Sequence, residues 1–531
     1  MFGDKKMASL CLWLLSGYLI LGLVCYIPNM SGVGLRLPMN ILCWAVMAGI
    51  IVMVSLFAVK KNELKRETTI VAVLPALILL ALPLLWGDRL TGIAFVPKLL
   101  MLAGGALFYL ALLQLSLSQR MKEWLIYVMV TAALVQGALA LWQVFVTSPV
   151  NWMEYPLGTR PYGIFQQVNV LASFVATGCA GAIYVFFTTK RRGRVALSCL
   201  SIFFLIHVLW LLQSRAGGLG VIVYGLFAGV MAGRKRRSKI IPLLVLCAAA
   251  TAYTFIFKAL LPDNALSTMI AAVNKSGSNH ERIVILKATW QMITQHPFSG
   301  WGYGNFEVNF ARIAHDDFNF TFRTRLTHPH NELLYEWVEG GISALVATGI
   351  LLLGYSVPFF KGDALHRLRW GLSLPCLLHM MLEYPLAQSS VHWLLLLLIC
   401  RISVRDQNII ARSCPRFFYY LQGGVAAVGV VFLLTGLRTN AVLTKYERSG
   451  MTDFSEARAL LNPWAQWSRF EFDRNVGLLM EYNRSRNEAL LYEYYRWGTE
   501  YLRQENDTHV AANVNIIANQ LHIRPDPSRG K

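Results

Sequence analysis

The sequence predicts an all-α polytopic membrane protein, and three observations carry that prediction. The 531 residues are 55% apolar and only 15% charged, with mean hydropathy +0.46. Soluble domains carry about 25% charged residues. Several runs of roughly 18 or more apolar residues in the chain lack interior charge, close to the roughly 20 residues that cross a hydrocarbon layer, and about thirteen candidate spans follow. Its cations fall in short clusters between those runs, and on one side only if the runs alternate across a bilayer.

The candidate spans are residues 8–27, 39–59, 70–86, 93–115, 124–146, 168–188, 195–212, 218–232, 240–261, 340–360, 370–384, 391–404 and 417–437. Pro75, Pro83, Pro97, Pro375 and Pro385 lie in or beside spans, where each frees a carbonyl and kinks its helix. The first run leads into Pro28 and Asn29 without a small-residue cleavage site, so it reads as a retained helix. The clusters around Lys60, Lys122, Arg191, Arg236, Arg367 and Arg405, with Lys5 and Lys6, then mark the cytoplasmic side. The net charge of +20 is thus a topology signal, not a nucleic-acid one. Eight of the nine cysteines fall in spans and the ninth, Cys414, on the cytoplasmic side, so no disulfide framework is implied.

This topology leaves two large pieces outside, residues 262–339 and the tail 438–531. The division expected is a membrane catalytic domain over 1–437, including the loop 262–339, and a helical periplasmic domain over 438–531. In the loop, residues 276–279 read as a turn or cap, and 281–295 as an amphipathic helix with Ile283, Leu286 and Ile293 on its apolar face. Gly300, Gly302 and Gly304 let backbone approach a ligand closely, but no Lys-Ser/Thr follows them, so a nucleotide loop is not implied. In the tail, 455–461, 475–482 and 488–502 have helical spacing.

The chemistry concentrates outside and at the span mouths. The stretch 326–335, LTHPHNELLY, sets His328, His330, Asn331 and Glu332 just before an apolar run. Locally it also reads as a helix cap with a polar first turn. His330 is the candidate general base, because an imidazole titrates near pH ~6.5. Arg160, Arg215, Arg282, Arg312, Arg323 and Arg325 lie on the side that the positive-inside rule leaves poor in cations. Guanidinium forks hold phosphate oxygens, so an anionic lipid-linked substrate accounts for them; interfacial snorkelling is the plainer alternative. His379 and Glu383 share one helix face, four residues apart, without the second histidine of a zinc-protease helix. His315, Asp316 and Asp317 are too close in sequence to face one ion from a helix, so no metal is expected. Lys98 and His207 are interior exceptions, read as a snorkelling lysine and a packed helix residue.

Four motifs together resemble the O-antigen ligase and polymerase superfamily of bacterial inner membranes. They are 160–172 (RPYGIFQQVNVLA), 214–217 (SRAG), 281–306 with its HPFSGWGYGNF end, and 328–333 (HPHNEL) followed by Glu339, Gly340 and Gly341. The chain looks most like the O-linked oligosaccharyltransferases that glycosylate pilins, through Glu383-Tyr384-Pro385 and the long tail. The resemblance implies a GT-C-like fold in the inner membrane, with its site on the periplasmic side and no cofactor. It implies en bloc, inverting, metal-independent transfer of glycan from undecaprenyl-pyrophosphate to Ser/Thr of a periplasmic protein. Carried over residue by residue, His330 is catalytic and Arg215, Arg282 and Arg160 bind pyrophosphate. Gln167, Asn169, His328, Asn331, Tyr384 and Glu383 support them. Valine stands at 168 where the family has proline. The alternatives are a lipid-A-core ligase, an O-antigen polymerase and, from another class, a lipid-linked glycan transporter.

Overall fold

The computed structural model describes residues 3–145, 152–156, 159–231, 233–260, 275–320, 326–503, 505 and 507–523. The protein is an all-α polytopic membrane protein. Among the described residues, ten helices are long and apolar enough to cross a bilayer. Two shorter apolar helices, Arg215–Met231 and Ser390–Ser403, take two more of the expected positions. The expected span 370–384 is shorter and broken: helical turns cover Ala364–Trp370, Gly371–Ser373 and Leu374–Met380, and the chain then turns toward Pro385.

The helix Val168–Thr188 is the axis of the bundle, and every residue from Val170 to Phe187 is buried. Its small residues let neighbours close in: a Cβ on Gly178 would sit 2.1 Å from the Ala133 Cβ. Small side chains drive this packing in lipid, where apolar burial gains little. Helices Gln119–Phe145, Arg192–Leu212 and Arg215–Met231 surround it. The ring of site residues below stands at its N-terminal end.

At the opposite end, Glu63–Arg66 pairs antiparallel with Ile410–Ser413, tying together two cation-rich connections. Three cations there are structural rather than interfacial. Arg401 donates to the carbonyls of Leu112 and Leu115 at 2.9 and 2.8 Å. Arg369 donates to Tyr184 and Gln119, and Lys122 pairs with Asp406 at 3.0 Å.

Several expectations need correction. Residues 276–279 are helical, within Lys275–Gln295. Val284, Ile285, Ala288, Met292 and Ile293 form the buried face of that helix, while Ile283 and Leu286 are exposed. Three apolar residues at suitable spacing left two faces open, and tertiary packing against Phe306 and Phe310 chose the other one. The glycines at 300–304 pack closely against protein backbone. Gly341, at φ 64°, breaks the helix Glu332–Lys361. The carbonyls of Val338 and Glu339 beside the break accept from Trp301 and Gly302 at 2.8 and 2.9 Å. A Cβ on Gly300 would lie 2.3 Å from the Glu339 oxygen. Lys98 does not snorkel: its Nζ holds both Glu336 oxygens at 2.8 Å and lies 4.3 Å from the Tyr303 ring centroid. His207 is a packed helix residue, paired with Thr254 at 2.9 Å.

The tail begins without a break. One helix runs from Arg416 to Arg448, past residue 437. Helices Trp467–Ser485, Glu488–Tyr501 and Thr508–Gln520 follow, the last one unanticipated in the sequence. Arg448 pairs with Glu154 at 2.5 Å and donates to the Asn29 carbonyl at 3.0 Å. The tail root is thereby fastened to the connection that carries Arg160.

Candidate functional site

Three helix N-termini meet at one end of the bundle, and each is opened by a residue singled out in the sequence. Gln167 caps Val168–Thr188, its Oε1 accepting from Val170 N at 2.8 Å. Ser214 precedes Arg215–Met231 and accepts from Gly217 N at 3.3 Å. Asn331 caps Glu332–Lys361, accepting from Leu334 N at 3.0 Å. The local capping reading of this stretch is therefore correct, and it coexists with the functional one. Helix N-termini present positive partial charge, so their convergence favours an anion.

The Glu383 turn links the three caps, through its carboxylate to Gln167 and Asn169, through Asn169 to Ser214, and through the Met381 carbonyl to Asn331. Glu383, in the turn after Leu374–Met380, accepts from Gln167 Nε2 at 3.2 Å and from Asn169 Nδ2. Arg282 reaches it from Lys275–Gln295 at 3.7 Å. Ser214 donates to Asn169 Oδ1 at 2.8 Å, which brings Arg215 to the same rim. Asn331 Nδ2 donates to the Met381 carbonyl at 3.0 Å, fixing the His330 segment against the Glu383 turn. Glu383 itself is 6% exposed, whereas Arg282 is 43% exposed.

His330 has φ 57°, a left-handed backbone that strains a histidine. Its backbone N–H donates to His328 Nδ1 at 3.0 Å, which holds that conformation. His328 must be neutral at Nδ1 to accept. Burial pushes its pKa down to about 3, so it is. Its ring packs between Tyr335 and Tyr384, at 4.3 and 4.4 Å between centroids, and its Nε2 faces Glu332 at 3.5 Å. The His330 ring lies 5.7 Å from that of Tyr384. Burial lowers the His330 pKa below its ordinary value, and the Glu383 charge only partly offsets this. His330 is consequently an unprotonated base at neutral pH. Its Nδ1 is buried without a hydrogen-bond partner among the described residues.

Arg160 is half-buried and donates to the Leu212 carbonyl at 3.4 Å. Burial lowers its pKa and the charge of Glu383 opposes this, which places it in the same field. Arg312 is elsewhere, over the Trp301 ring at 5.9 Å. Arg323 and Arg325 lie outside the described residues. His315 pairs with Asp316 on an exposed surface, away from these groups.

Behind Glu383 runs a buried chain that the sequence reading caught only at His379. His379 Nε2 faces Glu383 at 3.4 Å and its Nδ1 meets Ser173 Oγ at 2.8 Å. Ser173 Oγ meets His392 Nε2 at 2.9 Å, and His392 Nδ1 meets Ser389 Oγ at 3.0 Å. The row thus runs unbroken from Ser389 to the Glu383 carboxylate. His392 interrupts an apolar run, and that intramembrane ionisable group was the signal available for it. Ser173 gave none.

Three family models match separate stretches of the chain. Residues 199–349 match the O-antigen ligase family, and this stretch holds Arg215, Arg282 and His330. Residues 368–518 match the C-terminal part of a virulence-factor membrane-bound polymerase family, taking in Glu383, Tyr384 and most of the tail. Residues 161–186, with Gln167 and Asn169, match a protein glycosylation ligase family. No curated protein matched the chain. Through these three stretches the chain is similar to the O-antigen ligases and protein glycosylation ligases.

Proposed function

We propose that the chain is an O-oligosaccharyltransferase that moves a glycan en bloc from undecaprenyl-pyrophosphate to Ser or Thr of a protein acceptor such as a pilin, on the periplasmic face of the inner membrane. The observation that carries this reading is the meeting of an unprotonated imidazole, His330, with Arg282 and Arg160 around the field of Glu383. His330 takes the proton of the acceptor hydroxyl as its oxygen attacks the anomeric carbon. The bond from that carbon to the pyrophosphate oxygen breaks, with inversion. Arg282, Arg215 and Arg160 receive the charge that develops on the leaving pyrophosphate. Such general-base help contributes about 10²–10⁴-fold, and fixed donors aimed at developing charge contribute a comparable or larger factor. Glu383 orients Arg282, Gln167 and Asn169. Guanidinium groups supply the charge stabilisation that the leaving group needs, so the step runs without a metal.

The protein acceptor is supported by the match of 161–186 to a protein glycosylation ligase family and by a tail large enough to dock a protein. The membrane catalytic unit then spans 1–437 and the tail 438–531 serves the acceptor. Intact-mass measurement of a pilin co-produced with a glycan pathway tests this. A glycan mass on the pilin that depends on this chain is expected. Glycan appearing on lipid A-core instead overturns the acceptor assignment.

A further inference from the structure

After its root at Arg448 the chain returns along the helix Arg416–Arg448, where Asn462 meets Phe432, Thr435 and Thr439. Leu461, Trp464 and Trp467 are 83%, 67% and 41% exposed. The two indoles stack at 4.6 Å with an interplanar angle of 15°, so they form one rigid apolar face. Their connection is clamped on the helix Arg416–Arg448. Asn462 Nδ2 donates to the Phe432 carbonyl at 2.8 Å and to Thr435 Oγ1 at 3.0 Å. Thr439 Oγ1 donates to the Asn462 carbonyl at 2.7 Å. Gly436 admits Ala465 so closely that a Cβ there would be 2.8 Å away.

The clamp sets the depth of that face. The exposed apolar side of Arg416–Arg448 begins at Phe417 and continues through Leu421, Val425, Val428 and Val431 to Leu434. At about 1.5 Å per residue, a hydrocarbon layer of about 30 Å entered at Phe417 ends near residue 437. Phe432 and Thr435, which hold Asn462, lie inside that limit. Leu461 and the indole pair are therefore continuous with the lipid-facing side of the spanning helix. Arg438 and Arg458 are exposed around them, at the height of headgroups. Indoles at such a boundary keep the ring in the acyl region and the N–H toward water.

We infer that Leu461, Trp464 and Trp467 form a wedge seated in the bilayer leaflet nearer the site, with Arg438 and Arg458 meeting anionic lipid headgroups. The wedge pins the tail root to the membrane surface, in addition to the covalent connection at Arg448.

The test uses the full chain, labelled with 5-fluorotryptophan, in lipid nanodiscs containing an anionic phospholipid. Conservative Trp464→Phe and Trp467→Phe variants serve only to assign the two ¹⁹F resonances. Relaxation is then measured with a spin label high on the lipid acyl chain and, separately, with a water-soluble gadolinium chelate. Both resonances are expected to broaden more with the lipid label than with the chelate. Greater broadening by the chelate overturns the wedge. So does broadening by neither agent, as when a second copy or another protein covers the face.

Discussion

The two ends of the bundle use charge in opposite ways. At the end of the paired strands, Arg401 and Arg369 are almost completely buried; carbonyls, Tyr184 and Gln119 take up two donor nitrogens of each, while Arg401 Nη1 and Arg369 Nη2 have no hydrogen-bond partner among the described residues. At the site end, Arg282 is nearly half exposed, meets Glu383 only at 3.7 Å, and stands where three helix N-termini add positive field. A guanidinium sealed by its own protein holds helices together. A guanidinium left half open beside a buried carboxylate is poised for a ligand. Exposure makes the difference: Arg282 is 43% exposed beside Glu383, whereas Arg401 and Arg369 are sealed from solvent and make their bonds inside the protein.

Substitutions sharpen this contrast, beginning with the largest effect. Under the proposed mechanism, in which the imidazole takes the proton of the reacting hydroxyl, His330→Ala should lower kcat by about 10²–10⁴-fold at unchanged melting temperature; single-turnover transfer reads it. Arg282→Ala should cost about 10²–10³-fold in kcat/KM. Arg282→Lys should recover only part, since an ammonium keeps the charge but loses the fork. Arg401→Ala is the counterpart from the other end. It should lower stability by about 1.5–3 kcal/mol through lost charge-assisted hydrogen bonds and leave turnover per folded molecule unchanged. Equal catalytic losses from the two arginine variants would erase the distinction between the ends.

His379→Ala should reduce kcat about 10- to 100-fold, the equivalent of one hydrogen bond to a charged group. Its KM for donor should rise as well, because Glu383 loses the neighbour that orients it. An unchanged kcat would reduce the row from Ser389 to His379 to packing. The smallest effect is in the pH profile. A base must be unprotonated, and burial holds His330 below its ordinary value of about 6.5. The kcat/KM should therefore be flat through neutral pH and fall only as the pH drops through that lowered value. His328, with its pKa pushed down to about 3, adds no limb above that value. An acid limb centred above pH ~7 contradicts this assignment.

Much of the fold was legible because lipid imposes a simple rule. Long uncharged runs become helices, and the spans up to residue 261 show it. The broken segment 364–380 was harder to read, because its breaks follow from packing rather than from composition. Lys98 was misread for a related reason. A lone cation in an apolar run looks like snorkelling until Glu336, more than two hundred positions away, is seen beside it. At the site, His330, Arg282, Gln167 and Glu383 announce themselves as polar groups at span mouths. Ser173 and His392 do not, because a serine or histidine inside a span gives no hint of its partner. The glycines of 300–304 show the reverse: the pattern was visible, but its purpose was to fit the broken turn at Gly341.

The most direct test separates donor binding from transfer in a single variant. With purified full chain in nanodiscs, donor affinity and single-turnover transfer are measured for His330→Ala and Arg282→Ala side by side. The account predicts that His330→Ala binds donor as the parent does yet scarcely transfers it, while Arg282→Ala binds donor more weakly. Near-normal transfer by His330→Ala, or unchanged donor affinity in Arg282→Ala, would contradict it.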